Sequence, residues 1–314
     1  MFPAANRRDF LRISLGAAAG LSRGRGLRGA ERQSTRDSRL TATPLGETLV
    51  HIEGAGGNVL ALHGPGGVVM VNGGSPERAD ALRAFIDQQF PRTPVRTLFN
   101  TDWHPEHTGA NEILGAAGTE IIAHEHTKQY LGADIFVDWQ ERTYKARPKQ
   151  ALPTNTFYTG GELTAGGERI VYGHLGQAHT DGDIYVYFPG PNVLVAGDAL
   201  SVGRYPIADY TTGGWLGGLA TATETLLGLT NDDTRVVPGT GPLQTRADLQ
   251  AQHEMLVAMR DRIRTMMRKG MGVPDMLAAG VTEDFDARWG DPSLFVATAY
   301  RGMWLHVREL GGIV

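Results

Sequence analysis

The chain reads as a mixed α/β fold in which two β-sheets are flanked by helices, with a helical extension at its C-terminus. Three observations predict this. Between residue 45 and about residue 240, short β-rich runs alternate with helical stretches, and the runs fall into two groups. Several runs are continuously apolar, as strands buried on both faces are. The last seventy residues differ and carry helical spacing.

The first group opens with Val59-Leu60-Ala61-Leu62 and Val68-Val69-Met70-Val71, separated by His63-Gly64-Pro65-Gly66-Gly67 as a turn. Residues 79–90 place Leu82, Phe85, Ile86 and Phe90 at helical spacing. Residues 95–100 read as a strand, 111–117 as a short helix and 120–123 as another strand. The second group comprises 170–172, 184–188 and 193–196, followed by a helix over 219–229 and a short strand at 235–237. Residues 245–269 form one long amphipathic helix. Thr245 caps it with Asp248 three residues on, Leu249, Leu256, Met259, Ile263 and Met266 make its apolar stripe, and Gly270 ends it. Two further helices follow, over 274–279 and 294–310. The methionines there read as core filler, and the three helices as a cap on the same domain. Their Met- and Leu-rich stripes leave room for a homodimer.

Composition narrows the function. A net charge of -4 gives no electrostatic reason to expect nucleic acid. The 42 glycines are scattered singly or in pairs and read as tight turns. There is no cysteine, which excludes disulfides, thiol nucleophiles and thiolate ligands, so any metal must be held by histidine and carboxylate. At the N-terminus, Asn6-Arg7-Arg8-Asp9-Phe10-Leu11-Arg12 precedes a short small-residue apolar run from Ile13 to Leu21. Charge followed by such a run is signal-peptide logic, and the run is too short to span a bilayer. The paired arginines resemble a twin-arginine export signal. The organisation is therefore a signal at 1–35, a main domain at 36–244 and a helical cap at 245–314, with a periplasmic or secreted destination.

Four pieces of sequence carry the chemistry. Asp102-Trp103-His104-Pro105-Glu106-His107 places four metal-binding side chains within six positions, straight after a strand. Alternation along an extended segment puts Asp102, His104 and Glu106 on one face, and His107 then turns with the chain. The others are Ala178-His179-Thr180-Asp181-Gly182-Asp183, Gly197-Asp198 after an apolar strand, and Pro238-Gly239-Thr240-Gly241-Pro242.

In this order and spacing the four pieces resemble the metallo-β-lactamase superfamily, over roughly residues 45–242. The resemblance implies an αββα sandwich with the site at the sheet edge, and usually zinc-dependent hydrolysis. It implies a first metal position from Asp102, His104 and His179, a second from Glu106, His107 and the position of Thr240, and Asp198 bridging both. Three departures stand out. Asp102 and Thr240 replace histidines, and Glu106 replaces aspartate. Asp102 remains an acceptable zinc ligand but adds a harder donor, which tilts preference toward iron or manganese. Thr240 offers a neutral hydroxyl, so one firmly bound zinc ion is expected, with a second weak or absent. Asn72 stands where the family often has Asp, and is expected to donate a hydrogen bond to Asp102.

The implied activity is that of an exported metallohydrolase. Metal-bound hydroxide would attack an ester, lactone or β-lactam-like carbonyl of a small molecule, with Glu106 and Asp198 as catalytic groups. An iron-dependent oxidative metalloprotein and a non-catalytic metal-binding protein stay open beside it. His124, His126 and His174 read as residues near the site rather than as ligands. His51, His63, His253 and His306 read as ordinary histidines. Trp215 either touches substrate from a glycine-rich loop or opens the following helix.

Overall fold

The structure, a computed structural model, describes residues 39–309. The expected signal at 1–35 lies outside the described residues. Short polar-edged segments form β1 (Thr41–Pro44) and β2 (Leu49–Glu53), then β3 (Val59–Gly64) and β4 (Gly67–Val71) follow as an antiparallel hairpin. The turn there is tighter than the sequence suggests, because pairing runs to Gly64↔Gly67 and leaves only Pro65 and Gly66 unpaired. After helix α1 (Ala79–Gln89), β5 (Val95–Phe99) lies parallel to β4. A helical turn α2 (Pro105–Thr108) and helix α3 (Asn111–Ala116) lead to β6 (Glu120–His124) and helix α4 (Glu125–Leu131). A small hairpin of β7 (Ile135–Val137) and β8 (Arg142–Tyr144) precedes β9 (Asn155–Phe157). The first sheet has the order β1-β2-β3-β4-β5-β6-β9.

The second sheet contains β10 (Gly160–Ala165), β11 (Glu168–His174), β12 (Ile184–Phe188), β13 (Val193–Gly197) and β14 (Arg235–Pro238), in that order. Helix α5 (Leu216–Leu229) connects β13 to its parallel neighbour β14. Helix α6 (Arg246–Arg268), α7 (Val273–Ala278), the turn α8 (Asp286–Trp289) and α9 (Ser293–Glu309) complete the described chain. The Thr245–Asp248 capping box is present in both directions.

Period-two alternation sorts the apolar side chains into layers. Val69 and Val71 of β4 point between the sheets with Phe99, Ile122, Val186, Phe188 and Val195. Val68 and Met70 point the other way, onto Leu82 and Ile86 of α1 and Leu114 of α3. On the far side of the second sheet, Leu194 and Val236 meet Leu219 and Leu226 of α5, Leu256 and Met259 of α6, and Phe295 of α9. The result is an αββα sandwich of two mixed sheets. Among the described residues, no helix is long and apolar enough to cross a membrane.

Candidate metal centre

The centre sits where β5, β13 and β14 end, at one edge of the sandwich. Parallel strands finish there, and loops leave the sheets with free side chains. Gly197 turns the chain with φ 55°, where a Cβ would meet the Thr101 side chain at 2.8 Å, and Asp198 follows directly. The backbone of Thr101 accepts from Ile184 N at 2.8 Å, which joins the first loop to the second sheet.

Two groups of donor atoms converge here. His104 Nδ1 lies 3.3 Å from Asp102 Oδ1 and 3.3 Å from His179 Nε2. His107 Nε2 lies 3.4 Å from Asp102 Oδ2 and 3.3 Å from Asp198 Oδ2, and His179 Nε2 is 3.6 Å from that same oxygen. The two oxygens of Asp102 thus serve both groups. Donors held about 2.0–2.1 Å from a shared ion at tetrahedral angles are about 3.4 Å apart, so the spacing is that of a ligand shell. The unmet atoms agree. Asp102 Oδ2 and both nitrogens of His107 are buried without a hydrogen-bond partner, a costly state that a cation resolves.

The tautomers are set from behind. His179 Nδ1 must donate to Ile207 O at 2.8 Å, because a carbonyl only accepts, and this leaves Nε2 free for the centre. The backbone of His179 is fixed by Asp183, whose carboxylate accepts from His179 N at 2.5 Å and from Thr180 Oγ1 at 2.6 Å. His104 Nε2 makes no hydrogen bond, but Asp209 Oδ2 lies 3.4 Å from it, and that charge favours a proton there and a free Nδ1 at the centre. Asp209 is fully buried and accepts from Trp139 Nε1, Thr211 N and Thr212 Oγ1. Trp103 stacks on His104 at 4.3 Å and donates to Thr212 Oγ1.

Burial opposes charge throughout the centre, but the pairs outweigh it. Asp102 is held below the usual carboxylate range, against its burial, by His107 and His104. Asp198 is also lowered, again against burial, chiefly by His107. Burial would lower His107, yet Asp102 and Asp198 push it up to about 10. Burial, helped by the charge of Asp102, raises Asp183 to about 7 against the pull of His179 and Thr180.

The structure brings together Asp102, His104, His107, His179 and Asp198. It does not bring Glu106 into the donor set. Pro105 starts α2 there, so the expected alternation stops at His104, and Glu106 stays half-buried at the rim. Asn72 also differs from expectation. It sits at φ 64°, its oxygen accepts from Thr101 N and Oγ1, and its Nδ2 has no hydrogen-bond partner, so it braces Thr101 rather than Asp102. Thr240 accepts from Arg204 Nη2 at 3.2 Å. Trp215 opens α5 and stacks on His306. His124 stacks on His174 at 3.8 Å, and both His126 and His174 approach the Asp181 carbonyl beside the His179 turn. Sequence reasoning missed Asp209 and the bracing role of Asp183. Asp183 lay inside a recognised motif, whereas Asp209 lies in none, its one local signal being the capping-type spacing to Thr211.

Comparison with known proteins agrees with this architecture. The sequence model of the Metallo-beta-lactamase superfamily matches residues 52–240. Among characterised proteins, the chain is 27% identical over 219 residues to the 2,4-dinitroanisole O-demethylase subunit alpha of Nocardioides sp. (strain JS1661). That match covers 68% of this chain and 61% of the relative. It is 29% identical over 104 residues to a metallo-beta-lactamase of Chryseobacterium indologenes, covering 33% of this chain and 38% of the relative. The chain thus spans less than two thirds of either relative. Among solved structures, a metallo-beta-lactamase from Pontibacter korlensis superposes with a TM-score of 0.57 at 20% identity, covering 70% of this chain and 99% of that one. A stereoselective inverting sec-alkylsulfatase from Pseudomonas sp. gives 0.62 at 16% identity, covering 87% and 51%. These likenesses show a shared fold.

Proposed function

The chain belongs to the metallo-beta-lactamase superfamily, and from that premise we propose that it is an exported metal-dependent hydrolase whose ion is held by Asp102, His104 and His179, with Asp198 and His107 completing the centre. The observation that carries this reading is the ligand-shell spacing of the buried donors, between 3.3 and 3.6 Å. Bound there, zinc supplies Lewis acidity and brings the pKa of a water down to about 7.

The residues then divide the work. His104 and His179 present one free nitrogen each, because Asp209 and Ile207 O hold the opposite edges of their rings. Asp198 stays ionised beside His107 and His179, so it can hold an attacking water by one of its protons. Glu106 at the rim takes that proton and returns it to the leaving group. Trp103 covers the outer face of His104 and keeps water off that side. The substrate class is a small molecule with an ester, lactone or β-lactam-type carbonyl. The relative named as an O-demethylase subunit extends the class to activated aryl methyl ethers.

Elemental analysis with a substrate panel tests this. About one zinc per chain, with ester or aryl ether cleavage that persists without oxygen, is expected. The carboxylate share of the ligand set favours a second reading, an iron centre with oxidative chemistry. Iron in native protein, with turnover that stops under anaerobic conditions, would establish that reading instead. Export is tested separately, by fusing residues 1–40 to a reporter that is active only outside the cytoplasm.

A further inference from the structure

The end of the sandwich away from the metal centre holds a cavity of about 420 Å³, within the size range of small-molecule sites. It lies where the parallel strands β4 and β5 begin, whereas the centre lies where they end. The length of these strands keeps the two on the order of 15 Å apart. The β3–β4 turn and Gly166, from the turn between β10 and β11, bring both sheets to its wall. The two turns meet backbone to backbone, since a Cβ at Gly64 would come within 2.1 Å of Gly166 Cα. A Cβ at Gly66 would meet nothing within 4 Å, so the cavity is open on that side.

Arg92, Arg96 and His63 line this cavity, and among the described residues that line it none is acidic. Among the described residues neither guanidinium has a hydrogen-bond or ion-pair partner. The chain as a whole carries a net charge of -4, so the cavity is a local concentration of positive charge in an acidic protein. The backbone holds both arginines to it. A Cβ at Gly67, where φ is 129°, would meet Arg96 Cγ at 2.4 Å, so the stem of Arg96 lies across a bare glycine. Arg92 stands at φ 60° in a turn closed by Thr93 N, which donates to Phe90 O at 3.1 Å. Pro91 precedes it, and the position after proline in such a turn ordinarily takes Gly or Asn. Arginine there costs conformational energy that the turn itself does not return. The ring of His63 is stacked on Phe90 at 5.0 Å and 8°, which fixes an imidazole in the wall.

A phosphate monoester fits these groups. It is close to a dianion at neutral pH and matches two unpaired guanidiniums, each able to give two parallel N–H bonds to its oxygens, whereas one guanidinium satisfies a carboxylate. We propose that this cavity is a second binding site, which takes the phosphate of a small phosphorylated molecule on Arg92 and Arg96 and rests the group that carries it against His63. The site shares no residue with the metal centre, so it stands or falls apart from the ligand set assigned above.

The test titrates the full chain as isolated with inorganic phosphate and with phenyl phosphate, and follows glycine amide shifts by NMR. Gly66, Gly67 and Gly166 report this cavity, and Gly197 and Gly239 the metal centre, so an anion on a bound metal is told from one on the arginines. Saturable shifts at the first three are expected with both probes, and phenyl phosphate should bind about three- to tenfold tighter through the ring wall. Arg92→Ala/Arg96→Ala should weaken binding at these glycines by about tenfold or more, and Arg92→Lys/Arg96→Lys should recover it only in part, because charge returns without the fork. Arg92→Gly relieves the turn, so it should lose affinity while unfolding at no lower temperature than wild type. Wild-type shifts confined to Gly197 and Gly239, no shifts at all, or unchanged binding in the double alanine variant would each overturn the proposal. A single-stranded oligonucleotide that saturates the cavity glycines at about a hundredth of the phenyl phosphate concentration would replace the small ligand by nucleic acid and overturn it too.

Discussion

Replacing Asp209 by asparagine changes one oxygen to NH₂ at nearly constant volume, which makes it a sharp probe of the centre. Both carboxylate oxygens work as acceptors. Oδ1 takes Trp139 Nε1 at 3.0 Å and Thr211 N at 3.1 Å, while Oδ2 takes Thr212 Oγ1 at 3.0 Å and faces His104 Nε2 at 3.4 Å. An amide accepts on one side only. If its NH₂ faces His104, that ring must move its proton to Nδ1, the nitrogen 3.3 Å from His179 Nε2, and lose its lone pair at the centre. If it faces Trp139 instead, two donors oppose each other in a fully buried site, at about 1–3 kcal/mol. The expected loss in metal affinity is about 10–100-fold, which is about 1.4–2.7 kcal/mol. Competition with a chromophoric chelator measures it, and thermal unfolding of the metal-free form measures the structural cost separately. Zinc affinity in Asp209→Asn within twofold of wild type would refute the argument that Asp209 sets the His104 tautomer.

Three further outcomes are expected. Because His107 is pushed up to about 10 in the metal-free protein, it carries a proton at neutral pH, and zinc must displace it. Apparent affinity should therefore rise between pH 6.5 and 8.5 by roughly tenfold per unit for each proton released, and a buffer-dependent calorimetric enthalpy checks it. His124 is lowered to about 4 by burial and by its neighbours His174 and His126. The unfolded chain takes that proton first, so stability should fall as pH drops from about 6.5 toward about 4. His124→Phe, which keeps a ring against His174, should flatten the fall in a series of melting curves. Gly239→Ala forces a Cβ onto Asp198 Oδ1 and should lose most of its zinc. A near-native circular dichroism spectrum would localise that damage to the centre.

The sheet strands were legible because burial leaves a plain record. Val68 to Val71 and Val193 to Ala196 are apolar on both faces, and each is buried on both faces. Helix α6 was legible for the same reason together with its Thr245–Asp248 cap. β1, β2 and the β7–β8 hairpin left weaker traces, since they are short and since polar side chains interrupt the apolar ones in β1, β2 and β8. The ligand loop was readable in composition but not in conformation. Proline at position 105 ended the extended run one residue too soon for Glu106 to join Asp102 and His104. Asp209 was invisible because its role depends on a fold contact with a histidine more than a hundred positions away.

The donors come from both halves of the sandwich. Asp102, His104 and His107 leave the first sheet after β5, while His179 and Asp198 belong to the second. An ion bound among them behaves mechanically as a staple between the halves. Its contribution to stability follows RT ln(1 + [L]/Kd), so a thousandfold excess over Kd adds about 4 kcal/mol. Resistance to heat and proteolysis then becomes a readout of metal supply. Where that ion is scarce, the same chain is expected to be a softer protein whose two sheets part more easily along this edge.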